Sequence, residues 1–139
     1  AIESTGAEGA APLEDLYSRS NFVSLHIPAT PQTKGSIGYD LVSKMPKGGC
    51  LINTARKEVI DEDGLVKILE EREDLRYVAD VAPDCAAQMA EKFGKRFFAT
   101  PKKMGAETAE ANINAGLAAA SQICGFFADG NTRFQLNKF

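Results

Sequence analysis

Short apolar runs alternate along the chain with longer stretches in which apolar residues recur every three or four positions. The runs at 22–27 (FVSLHI), 50–53 (CLIN), 77–79 (YVA) and 97–99 (FFA) read as β-strands, and Pro28 stops the first. Between them the spacing predicts helices. Residues 12–17 place Leu13, Leu16 and Tyr17 on one face, and 39–45 place Leu41, Val42 and Met45 inward before the breaker PKGG at 46–49. Residues 61–72 carry Leu65, Ile68 and Leu69 on one face, with Asp61, Glu62 and Asp63 at the positive end. A short helix at 85–93 stops at Gly94. A long one at 106–128 spaces Ile113, Leu117, Ala120, Cys124 and Phe127 along one side; Gly130 ends it, and TRFQLNKF follows as an extended tail. Apolar strands alternating with helices predict an α/β fold with a parallel sheet covered on both faces. In such sheets ligands bind beyond the C-terminal strand ends.

Composition narrows the function. At 139 residues the chain is long enough for one domain with a core. A net charge of −3 offers no basic footprint for nucleic acid. No apolar run approaches the ~20 residues of a membrane span, and the N-terminal residues lack a leader pattern. Cys50, Cys85 and Cys124 form no CxxC pair and His26 is the only histidine, so no metal site is expected. Unpaired cysteines fit a reducing, cytoplasmic home.

The strand ends hold the candidate chemistry. The first carries His26, the second Asn53, Thr54, Ala55 and Arg56, the third Asp80 with Asp84 four residues on, and the fourth Lys102 and Lys103. Cations and carboxylates converging on one rim suit an anionic substrate and acid–base chemistry.

Four stretches, FVSLHIPATPQTKGSIG, GGCLINTARKEVIDEDGLVKILEE, YVADVAP and TPKKMGAETAEANI, occur in an order and spacing that resembles the D-isomer-specific 2-hydroxyacid dehydrogenases. The likeness runs from about Leu13 to the end and is nearest to the branch that oxidises 3-phosphoglycerate, in its short form without a regulatory domain. It implies the C-terminal half of a Rossmann-type NAD-binding domain over residues 1–104. It further implies, over 105–139, a long helix and tail returning to a substrate domain. Two departures stand out. The GxGxxG turn that cradles the pyrophosphate, and the acidic residue after it, are not in this sequence. Where the family has a catalytic histidine just after a TP pair, this sequence has lysines.

What the resemblance implies for each residue follows its motifs. Arg56 matches the arginine that binds the substrate carboxylate, for which a planar guanidinium fork is suited. The competing reading is a surface arginine paired with Glu58 or Asp61. Lys102 or Lys103 would take the histidine's place as proton-transfer group. Counting from Pro101 selects Lys102; counting back from Gly105 and Ala106 selects Lys103, the preferred reading. Either needs its pKa brought down from ~10.4 by an adjacent cation or burial. Asp84 stands one residue from the family's orienting carboxylate, a position that strict counting gives to Cys85. Asp84 reads equally well as a helix N-cap. His26, Ile27, Pro28 and Thr33 would border the cofactor cleft, Thr54 and Ala55 the nicotinamide ribose, and Asp80 the carboxamide. Gly105 would lie on the same cofactor side.

The implied function is hydride transfer between NAD and a 2-hydroxy acid, 3-phosphoglycerate first, by a cytoplasmic homodimer, with this stretch inactive by itself. The alternatives are another 2-hydroxyacid dehydrogenase such as a glyoxylate/hydroxypyruvate reductase, an NAD-sensing protein of the corepressor kind, and a piece with only a structural role.

Overall fold

All four apolar runs form strands in the computed structural model, which describes residues 5–9, 12–101 and 108–137. The chain divides into two compact units, Ala1–Lys103 and Met104–Phe139. In the first, β1 (Phe22–Leu25), β2 (Cys50–Asn53), β3 (Arg76–Ala79) and β4 (Phe97–Ala99) lie side by side in that order, and every pairing is parallel. Helix α1 (Leu13–Arg19) precedes β1, and α2 (Tyr39–Val42), α3 (Glu62–Glu71) and α4 (Ala86–Phe93) lie in the successive crossovers.

The register stacks Val23, Leu51, Tyr77 and Phe97 in one row, all buried, and Tyr77 and Phe97 stack with ring centroids 5.9 Å apart. Leu41, Val42 and Met45 after β1, Leu65, Ile68 and Leu69 on α3, and Met89 and Phe93 on α4 join the same core. The opposite face differs from the expectation of cover on both sides: Phe22 and Phe98 are exposed there, and Ile52 and Val78 are half-buried. The reason is topological. Successive parallel crossovers share one hand, so a sheet built in the order β1 to β4 receives all its crossover helices on one face.

Several element ends differ from the sequence reading. On α1 only Tyr17 is buried, whereas Leu13 and Leu16 are exposed, because only the C-terminal end of the stripe reaches the core. Helix α2 stops at Val42, but Lys44 and Met45 donate to Leu41 and Val42 in tighter i→i−3 bonds, so Met45 still turns inward. Strand β1 stops at Leu25, whose carbonyl accepts from Thr54 Oγ1 at 3.3 Å. Asp61 is the N-cap of α3, accepting from the Gly64 N–H, and Gly94, at φ 53°, ends α4.

The sheet end away from the strand C-termini is held by a charged clamp. Arg72 grips Asp74 through two bonds of 2.8 and 2.7 Å and donates to the carbonyls of Ser43, Met45 and Pro46. Asp74 also accepts the Gly48 N–H at 2.7 Å. The Arg72 bond first, and Gly48 second, hold the Asp74 carboxyl well below the usual carboxylate range. A depressed folded pKa stabilises the fold above the unfolded value of ~3.9 and is lost as pH falls below it. Asp74→Asn is therefore expected to cost about 1 kcal/mol at neutral pH, reduced from a fully buried charged bond by partial exposure. Thermal melts should bring variant and parent together as pH drops from about 5 toward 2. An unchanged gap at pH 3 would contradict this origin.

The second unit holds α5 (Ala109–Asp129), capped by Thr108 Oγ1 on the Ala111 N–H and closed by Gly130 at φ 64°. Its side chains Ile113, Leu117 and Phe127 are exposed. The following residues are not an extended tail. Gln135 N–H returns to the Thr132 carbonyl, and Phe134 borders an apolar cleft with Ile123, Phe126 and Phe127. Among the described residues no helix is long and apolar enough to cross a membrane.

Candidate functional site

Beyond the C-terminal ends of β1 and β2 lies an open cleft of about 520 Å³, lined by His26, Ile27, Pro28, Ala29, Thr54, Ala55 and Arg56. Six of these seven are candidate site residues from the sequence, and Ala29 follows Pro28 in the same loop. Thr33 does not line the cleft. Its hydroxyl donates to the Pro28 carbonyl at 2.6 Å and accepts from the Thr30 N–H at 2.8 Å, which folds the loop after β1 onto itself. His26 is exposed, and its Nε2 lies 2.9 Å from Ser24 Oγ.

Arg56 is exposed, and one guanidinium N–H donates to the Ala55 carbonyl at 2.9 Å. It forms no ion pair among the described residues, so the expected alternative of a pair with Glu58 or Asp61 is not formed. Asp61 is occupied in capping α3. A guanidinium with open N–H groups beside a cleft can take a carboxylate in the forked mode.

The turn bearing Arg56 rests on a residue to which the sequence reading assigned no role. Asn53 is the one buried polar side chain among the described residues. Its Oδ1 accepts the Ala55 N–H at 3.0 Å, and its Nδ2 donates to the Arg56 carbonyl at 2.9 Å and to Tyr77 Oη at 3.4 Å. The available signal was an amide closing an apolar strand, since a buried amide must find partners.

Asp80 directly follows β3, between the ends of β2 and β4. Its N–H donates to the Asn53 carbonyl at 2.9 Å, and Thr100 Oγ1 donates to the Asp80 carbonyl at 2.5 Å. Asp84 does not cap α4. That helix has Cys85 at its N-cap with no side-chain bond, and the segment leading into it is held from α3: Glu62 accepts the Asp84 N–H at 2.9 Å and the Cys85 N–H at 3.0 Å. The Asp84 carboxylate meets Lys57 Nζ at 2.6 Å, which raises the Lys57 pKa. This exposed pair ties the loop after β3 to the turn after β2. Burial first, and Glu62 next, push the Cys85 thiol up to about 12, so it stays neutral and supplies no carboxylate. Lys102, Lys103 and Gly105 lie outside the described residues. Among the described residues no cluster of three metal-ligating side chains occurs.

A nicotinamide-sized group fits the cleft chemically: Ile27, Pro28, Ala29 and Ala55 offer apolar contact and Thr54 a polar edge. A pyrophosphate has no glycine-rich cradle in this sequence.

Comparison with known proteins agrees with this geometry. The family model described as D-isomer specific 2-hydroxyacid dehydrogenase, NAD binding domain, matches residues 1–106, and the chain belongs to that family. The chain is 31% identical to D-3-phosphoglycerate dehydrogenase of Haemophilus influenzae over 137 residues, which is 94% of this chain and 33% of that protein. It is 39% identical to D-3-phosphoglycerate dehydrogenase 2, chloroplastic, of Arabidopsis thaliana over 81% of this chain and 18% of that protein. Among solved structures, NAD+-bound 3-phosphoglycerate dehydrogenase of Entamoeba histolytica is 56% identical with a TM-score of 0.76, over 94% of this chain and 43% of that one. The chain thus spans a third or less of the length of these curated relatives.

Proposed function

We propose that this member of the D-isomer-specific 2-hydroxyacid dehydrogenase family works as part of an NAD-dependent enzyme that oxidises 3-phosphoglycerate to 3-phosphooxypyruvate. Residues 1–104 would then be the later part of its NAD-binding domain and 105–139 a return to its substrate domain. The division into compact units between Lys103 and Met104 supports that boundary. The observation that carries the reading is Arg56, in no ion pair among the described residues and fixed beside the cleft that ends β1 and β2. The names of the relatives supply the substrate class.

When bound, NAD supplies the hydride acceptor. Arg56 holds the substrate carboxylate in a forked contact and draws charge from the adjoining carbon–oxygen group. Lys103, or Lys102, takes the hydroxyl proton during oxidation and returns it during reduction. Ile27, Pro28, Thr54 and Ala55 would exclude water from the nicotinamide side, Thr33 holds their loop, and Asp80 would accept from the carboxamide. Asp84 serves through its pair with Lys57, which joins the two loops. A cytoplasmic homodimer completes the proposal.

The test is NADH formation by the full-length protein with 3-phosphoglycerate, glycerate and lactate in parallel. The expected outcome is a preference for 3-phosphoglycerate. Preference for an unphosphorylated acid would move the assignment to a reductase of glyoxylate or hydroxypyruvate. NAD binding with no turnover of any of them would favour the sensing alternative.

A further inference from the structure

We propose that Asn53 is a positioning residue that aims Arg56 at the substrate carboxylate; the inference rests on Arg56 being the carboxylate-binding group. Asn53 is the last residue of β2, in register with Leu25 and Ala79, and it is 1% exposed. Both ends of its amide go to one turn. The acceptor takes the N–H two residues on and a donor reaches the carbonyl three residues on, at 3.0 and 2.9 Å. The turn is therefore referenced to the rigid sheet through both bonds. Arg56 itself is extended, at φ −145° and ψ 144°, a conformation that does not by itself hold a turn in place.

Only an amide can do this at that site. Aspartate keeps the acceptor for the Ala55 N–H but points a charged oxygen at the Arg56 carbonyl. Serine is too short to span both partners. Either change frees the turn, and an oriented group displaced by about 1 Å loses about 10²-fold in rate or binding.

The experiment uses the full-length enzyme, with Asn53→Asp, Asn53→Ser, Arg56→Lys and the Asn53→Ser/Arg56→Lys double variant. The expected result is a rise of about 10- to 100-fold in KM for the hydroxy acid in either Asn53 variant, with KM for NAD within about twofold of the parent. In the Arg56→Lys background, Asn53→Ser should add little, because the group it positions is already lost. Should Asn53→Asp fail to fold, Asn53→Ser carries the comparison. Folded Asn53 variants with parental KM for the acid would overturn the proposal. So would equal changes in both KM values alongside a lowered melting temperature, the mark of a merely structural asparagine. If Arg56→Lys keeps full activity, the carboxylate role of Arg56 fails and this inference falls with it, an outcome separate from the others.

Discussion

Arg56→Lys in the full-length enzyme is expected to lose about 2–4 kcal/mol of transition-state stabilisation, one and a half to three powers of ten in kcat/KM. Charge is conserved, so any loss reports geometry. The guanidinium presents paired N–H groups in a plane that matches a carboxylate, whereas an ammonium offers one compact charge on a flexible stem. The setting sharpens the difference. One guanidinium N–H is fixed to the Ala55 carbonyl, and Asn53 fixes the backbone behind it. A lysine at 56 inherits the backbone position without the fork. The loss should fall on kcat as well as KM, since the same contact polarises the reacting group. A variant with near-parental kcat/KM for 3-phosphoglycerate would remove Arg56 from the site.

Lys103→Met should be more damaging still, by about 10²–10⁴-fold in kcat, while Lys102→Met retains most activity. Oxidation of a hydroxy acid releases a hydroxyl proton that some base must accept. Arg56 cannot, because a guanidinium stays protonated and has no acceptor to offer. Asp84 is engaged by Lys57, and the Cys85 thiol is neutral. His26 follows β1 with its Nε2 against Ser24 Oγ, and the proposal keeps it as a cofactor-side residue. The lysines follow Pro101, just beyond the Thr100 that bonds to Asp80, where the family has its histidine. One hydroxyl proton needs one acceptor, so the proposal gives the role to a single lysine of the two. A lysine base must be neutral, so oxidation should speed up as pH rises toward its pKa, and that limb should vanish in the variant. Parental kcat and pH profile in both single variants would exclude lysine catalysis. Inactivation by Lys102→Met alone would keep the chemistry and exchange the residue. Equal partial losses would mark a phosphate-binding pair.

Local patterns in the sequence were enough for the elements. The bounds of β2 and β4 coincide with their apolar runs, and α3 follows from the spacing of Leu65, Ile68 and Leu69 with Asp61 before them. Those signals lie within a few residues of one another and depend on burial alone. Arg56 and the lysines were singled out as candidate chemistry through their motifs at strand ends. Arg56 can now be described in space; the lysines, which lie outside the described residues, remain a proposal from sequence.

The contacts that build the site were not legible in this way. Lys57 meets Asp84 across 27 positions, and Glu62 reaches the α4 N-terminus across 22 and 23. Either carboxylate, read along the chain, is equally a cap for its own helix, and only the folded distances decide which N–H it accepts. The exposed sheet face likewise follows from strand order, which no local pattern records. Asn53 shows the division most clearly. Its sequence position makes it the end of a strand, and its burial against Ala55, Arg56 and Tyr77 makes it the support of the site. A polar group's partners are set by which backbone groups lose water beside it, and that is decided only when the sheet and its loops are assembled.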